Sequence, residues 1–134
     1  MRYHKILFLL LAMLLVSCND ADLKRQASTL QDAITEYNKS LRWNMFNNVD
    51  AYNRSPDGKQ MPIDRDAMKK IRITDYEVTE KVVNKDANKA IVKGEISYYN
   101  NDYGVLKKIP FEQQWWYDPG LKHWFTDSAL PNFK

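Results

Sequence analysis

A change of hydrophobic period near Ile71 divides the chain into two kinds of structure. Before it, Leu23, Ala27, Leu30, Ile34, Tyr37, Leu41 and Met45 recur every third or fourth residue, the stripe of an amphipathic helix. Lys24, Arg25, Gln31, Asp32, Glu36 and Lys39 fall off that stripe, and Asp20 or Asp22 is placed to cap its start. A shorter helix is expected from about Asn44 to Tyr52, either separate or as the end of one bent helix. Ser55-Pro56-Asp57-Gly58 then makes a turn, because Pro fixes φ and Gly accepts a positive one. Pro62 to Lys70 reads as a third helix, with Asp64 and Asp66 early and Lys69 and Lys70 late, as the helix dipole favours.

From Ile71 onward the period is two. Ile71 and Ile73 alternate in one phase and Tyr76 and Val78 in the other, which calls for a bulge near Asp75. After the polar turn Asn84 to Asn88, Ala90, Val92, Gly94, Ile96 and Tyr98 share one strand face, and Lys93, Glu95 and Ser97 the other. Asn100 to Gly104 turns again. Val105, Ile109, Phe111, Trp115 and Tyr117 then line one face of a third strand, with an irregularity expected at Pro110, which has no N–H for a ladder. Asp118-Pro119-Gly120 turns into Leu121 to Thr126. Helices first and strands joined by tight turns afterwards define an α+β class: a long N-terminal helix plus one or two short helices on a curved four-stranded antiparallel sheet.

Ahead of the helical stripe, Arg2 and Lys5 precede an uninterrupted apolar run from Ile6 to Val16. That is the build of a secretory signal, and shorter than the roughly 20 apolar residues of a permanent membrane-spanning helix. The run ends in Leu15-Val16-Ser17-Cys18, with Leu15 at the third position back and small Ser17 directly before the only cysteine. This stretch resembles a substrate of bacterial lipoprotein signal peptidase. The resemblance implies a diacylglyceryl thioether on Cys18, cleavage before it and acylation of the new α-amine; the alternative is an ordinary secretory signal followed by a chance cysteine. At about 0.8 kcal/mol per buried methylene, two or more acyl chains hold a protein stably to a bilayer. The organisation is then a leader over 1–17, a lipidated N-terminus and very short tether over 18–21, and one domain over 22–134. Asn19, rather than an aspartate, follows Cys18. By resemblance to the envelope sorting rule this favours the outer membrane, with the domain facing the periplasm.

Charge excludes one class of partner. The precursor carries 20 Lys and Arg against 17 Asp and Glu, and with Arg2 and Lys5 in the leader the remaining excess falls to one. No nucleic-acid surface or polybasic membrane patch is expected on that balance. With Cys18 lipidated no thiol is left for a disulfide or a metal. His4 leaves with the leader, so His123 stands alone and no zinc site or other metal or cofactor is expected. Gly58, Gly94, Gly104 and Gly120 stand singly, which rules out a glycine-rich phosphate loop, and no Gly-x-Ser-x-Gly elbow occurs.

Tyr37-Asn38-Lys39-Ser40-Leu41-Arg42-Trp43 on a long helix, followed by a short helix and by strands that include Ile71-Arg72-Ile73-Thr74-Asp75-Tyr76-Glu77-Val78, resembles small uncharacterised proteobacterial lipoproteins of NTF2-like, cystatin-like architecture. The resemblance covers most of residues 22 to 130 and rests on packing motifs, so it implies a fold more than an activity. It does suggest a pocket between helix and sheet, for which Tyr37, Tyr76, Tyr98 and Asp75 are the candidates, as in a small-ligand binder or isomerase-like protein. A separate candidate is a partner surface made by Trp116, Trp124 and His123. Neighbouring strand residues point to opposite faces, so Trp115 and Trp116 cannot both be core. Trp116 is therefore either an exposed contact for an envelope protein or half of a cross-strand aromatic pair with Trp124 or His123. The expected function is a non-catalytic, membrane-tethered module that binds a protein partner or an envelope component.

Overall fold

The computed structural model describes the backbone from Arg2 to Lys134 and the side chains from Asp20 onward. The signal and lipidation assignments at Leu15, Val16, Ser17 and Cys18 lie outside those described side chains. The elements are α1 (Arg2–Arg42), α2 (Phe46–Tyr52), α3 (Arg65–Met68) and the strands β1 (Ile71–Val83), β2 (Lys89–Asn100), β3 (Lys107–Asp118) and β4 (His123–Thr126). The strands form one open antiparallel sheet in the order β1-β2-β3-β4. Among the described residues, no helix is long and apolar enough to cross a membrane.

Helix α1 runs on through Asp20 and Asp22 without a break, so neither serves as a cap. Leu30, Ala33, Ile34, Tyr37 and Leu41 are buried on the inner face of the sheet, while Leu23 and Met45, the two ends of the expected stripe, stay exposed. The helix is closed by Asn44 in the left-handed region (φ 55°), with the Met45 N–H donating to the Ser40 carbonyl at 2.8 Å. That reversal makes α2 a separate helix, which buries Val49.

The third helix is shorter than its charge pattern suggests. Asp50 accepts the Ile63 N–H at 2.8 Å and an Arg65 guanidinium N–H at 2.7 Å, which holds the segment after Pro62 in a non-helical path. Asp64 then caps α3 by accepting the Ala67 N–H at 3.0 Å.

The bulge expected near Asp75 falls between Ile73 and Asp75, and a second lies between Val78 and Glu80. At each, the skipped threonine bonds across the ladder: Thr74 Oγ1 donates to the Ser97 carbonyl and Thr79 Oγ1 to that of Lys93. On β2, Ala90, Val92, Gly94, Ile96 and Tyr98 are all buried as their alternation requires. Gly94 has no room for a side chain, since a Cβ there would sit 1.8 Å from the Glu77 carbonyl oxygen.

Two expectations for β3 are corrected. Val105 precedes the strand and is exposed. Pro110 causes no break, and the β2–β3 register passes through the pair Glu95 and Pro110 unshifted. The Gln114 N–H points towards the chain following β4, where it donates to Ser128 Oγ. By the alternation of a strand, the nitrogen of Pro110 faces that same side. β4 reaches only positions 115 to 118 of β3, so the missing donor lies at open edge and costs no ladder bond. The far side of β4 is closed by Asn53, which bridges to Thr126 in parallel.

Candidate functional site

Of the four residues expected to line a pocket between helix and sheet, Tyr37 and Tyr76 meet at the Gln113 side chain inside the core, and Tyr98 and Asp75 lie elsewhere. Tyr37 is fully buried, its ring edge-to-face with Trp115 (5.6 Å) and Tyr52 (6.0 Å), and its hydroxyl donates to Asn53 Oδ1 at 3.4 Å. Tyr76 stacks on Phe111 at 4.4 Å and donates to Gln113 Oε1 at 2.5 Å. Tyr98 instead meets the C-terminal segment, donating to the Lys134 carbonyl at 3.2 Å with Phe133 against its ring at 4.8 Å. Asp75 is exposed and lies on the outer face, because the bulge at Thr74 pairs it with Ser97. Burial raises the pKa of both Tyr37 and Tyr76 far above the ordinary phenol value. These hydroxyls therefore act as neutral donors in a packed core, and no general base sits among them.

The proposed partner residues also separate. Trp124 is 1% exposed on the inner face, where its indole N–H donates to the Gln26 carbonyl (3.0 Å) and Thr29 Oγ1 (3.1 Å) of α1. It is a core residue and cannot form a docking surface. Its aromatic neighbour on β3 is Tyr117. Trp116 is half-buried on the outer face, and its cross-strand partner is Phe125 at 5.0 Å rather than Trp124 or His123. Its indole N–H donates to the Arg54 carbonyl at 2.8 Å, and the Arg54 guanidinium lies 4.9 Å above the Phe125 ring. His123 is half-buried between Tyr52 (5.0 Å) and Phe125 (4.8 Å). Burial, with Arg54 adding a smaller repulsion, pulls its pKa below the usual histidine value.

Trp116 forms one wall of a groove of about 350 Å³ on the outer face, with Pro56, Val82, Lys89, Ile91, Gln114 and Asp127. Val82 is 53% exposed and Ile91 40% exposed, and the two are register partners, with Gln114 next in the same row. The adjacent row is Glu80, Lys93 and Glu112, in which Lys93 Nζ lies 3.8 and 3.7 Å from the two carboxylates. The row beyond sets Glu77 directly opposite Glu95, with Pro110 as third member. Neither Glu77 nor Glu95 has a salt-bridge partner among the described residues. Like charges opposite one another on a sheet face are destabilising. One end of this face is thus indented, with Lys89 and Asp127 at the groove, and the middle rows set four glutamates around the single ammonium of Lys93, beyond which Lys108 lies in the row of Asp75 and Ser97.

Two further depressions border the helical side. One, of about 320 Å³, lies between the Met61–Met68 stretch and the C-terminal residues Ser128 to Phe133, with Asn53 at its wall. The other, of about 220 Å³, brings Asp32 and Glu36 of α1 near Tyr52 and His123. Among the described residues, no group of three or more His, Cys, Asp or Glu side chains is placed to hold a metal ion. No protein-family model, curated protein or solved structure matches the chain.

Sequence reasoning missed three contributors. Gln113 is 2% exposed, and the strand parity that places Phe111 and Trp115 inside was enough to find it. Phe125 and Arg54 had no local signal, because a loop far away in sequence carries the arginine over β4. The pairing of Glu77 with Glu95 depends on a register that two bulges reset.

Proposed function

We propose that the protein is a cell-envelope lipoprotein: a non-catalytic α+β module, NTF2-like or cystatin-like in plan, held to the membrane by acyl chains on Cys18 and binding a protein partner through the outer face of its sheet. The long first helix, short second and third helices and four-stranded meander support that architectural reading. The signal-like leader ending in Leu15-Val16-Ser17-Cys18 supports the anchor, and Asn19 supports the outer membrane, facing the periplasm.

The observation that carries the binding reading is the groove beside Trp116. It leaves Val82 and Ile91 open to solvent, whereas the tyrosines of the core are occupied by Asn53, Gln113 and Lys134. The tether suits it. Gln26 is where α1 first bonds to the sheet side of the domain, through Ala87, and a helix from Cys18 to Gln26 rises about 12 Å. The domain is then held within reach of the headgroups on a short stem, with Asp20 to Arg25 exposed along it.

Metabolic labelling with a fatty acid tests the anchor: label should enter the wild-type protein, the mature N-terminus should be acylated Cys18, and Cys18→Ala should accumulate unlabelled at precursor mass. A labelled Cys18→Ala protein would exclude this anchor. A photo-crosslinker at Ile91 in intact cells tests the surface: an adduct should form, disappear with Trp116→Ala and be absent from a crosslinker at Asp32.

A further inference from the structure

Resting on the reading of the outer face as a partner surface, we infer that it accepts a cationic, amphipathic peptide segment, whose apolar side chain fills the Val82–Ile91–Trp116 groove while its Lys or Arg residues lie over the glutamate rows. Three observations converge. The groove has the size and apolar walls to take one or two aliphatic or aromatic side chains, with a tryptophan fixed in place by its bond to the Arg54 carbonyl. The next row on the same face holds two carboxylates around a single ammonium, and the row after it holds two more with none. Successive rows of one strand face are about 7 Å apart. An extended segment with an apolar residue and, two positions on, a basic one would therefore set an apolar side chain at the groove and a cation one row away on the same face.

The chemistry of the face disfavours the other occupants. A second copy docking through the same surface about a twofold axis would place two copies of the patch holding Glu77, Glu80, Glu95 and Glu112 in one interface, adding like charge without a new cation. Anionic lipid headgroups and nucleic-acid phosphates are repelled by the same rows. A cation instead removes a cost already present, since Glu77 and Glu95 oppose each other in the free protein.

The opposition of these two glutamates gives the test its signature. Glu95→Gln relieves a repulsion in the free domain but deletes a contact to the bound cation, so it should raise the melting temperature and weaken binding together. The probe is a fluorescein-labelled peptide of repeating Leu-Ser-Lys-Ser, which sets Leu and Lys in turn on one extended face, with a Leu-Ser-Glu-Ser repeat as control, read by anisotropy on the intact mature domain. Glu95→Gln and Glu112→Gln should each weaken the Leu-Ser-Lys-Ser peptide about two- to fivefold at low salt, as for exposed ion pairs. Lys93→Gln should tighten it by a similar factor. Ile91→Lys should abolish binding, and Asp32→Asn with Glu36→Gln on α1 should leave it unchanged. Added salt should weaken binding to wild type.

Equal affinity for the two peptides, or insensitivity to Glu95→Gln, Lys93→Gln and Ile91→Lys in variants that melt cooperatively, would overturn the inference. If the Ile91 crosslink to an envelope protein persists in that case, the docking face stands and its cationic selectivity is lost. If the crosslink is absent as well, the partner reading falls with it.

Discussion

Tyr76→Phe isolates one hydroxyl in the core. The oxygen donates to Gln113 Oε1 at 2.5 Å, and both residues are nearly inaccessible, at 5% and 2% exposure. Removing it keeps the ring on Phe111, whose centroid is 4.4 Å away, so packing changes little. The loss is one net hydrogen bond together with a buried amide oxygen deprived of its donor, which together cost about 1–3 kcal/mol. For a domain of this size that is a fall in melting temperature of about 4–12 °C. Replacing the acceptor too, in Tyr76→Phe/Gln113→Leu, removes both members and should recover much of the loss, because an apolar pair leaves nothing unsatisfied between these positions. Urea denaturation of wild type, both single variants and the double variant gives the coupling directly. Additive single effects, or a Tyr76→Phe protein as stable as wild type, would show that the buried bond does not hold the sheet interior together. Tyr37 also lies against Gln113 and retains Asn53 in every variant, which keeps its own hydroxyl bonded.

His123 supplies a pH dependence with a definite sign. Its pKa is lowered in the fold by burial first and Arg54 second, so the unfolded chain binds its proton more readily. Stability should decline as pH falls through the window below about 6.5, the unfolded value, and His123→Asn should flatten that part of the denaturation profile; an unchanged profile refutes the assignment. Gly94→Ala should cost more than about 3 kcal/mol or prevent folding, because its Cβ would meet the Glu77 backbone oxygen at 1.8 Å and Phe111 at 2.8 Å. Gly120→Ala, whose nearest obstacle is the Asp118 side chain at 3.2 Å, is the mild comparison, and equal effects in denaturant would refute the close-approach argument.

The elements that were legible in the sequence are those whose burial is set by a single periodicity. Leu30, Ile34, Tyr37 and Leu41 lie on one helical face, and Ala90 to Tyr98 alternate through one strand, so the pattern alone puts them inside. The phase change between Ile73 and Tyr76 likewise announced the first bulge. Long-range ties escaped. The third helix shrank because Asp50 captures Ile63 and Arg65, and Trp124 became core because α1 supplies acceptors for its indole, from Gln26 and Thr29. Neither partner is near in sequence. Trp116 was recognised as the outward residue of its pair, but the groove beside it needs Pro56 from one loop and Val82 from another hairpin. Glu77 and Glu95 look like ordinary solvated residues until the register sets them opposite each other.

The two irregularities in β1 bear on how neighbouring molecules meet along that edge. An outermost strand of 13 residues is a hazard for edge-to-edge polymerisation, since its unpaired amides can recruit the same strand from a neighbour. Here the ladder stays in step only through Ile71–Ile73, Asp75–Val78 and Glu80–Val83, and on the opposite margin Asn53 bridges Thr126 of β4 while Lys107 to Gln113 of β3 remain open edge. A neighbouring strand laid along β1 would meet two breaks in step, which shortens any stretch over which a shared sheet could extend.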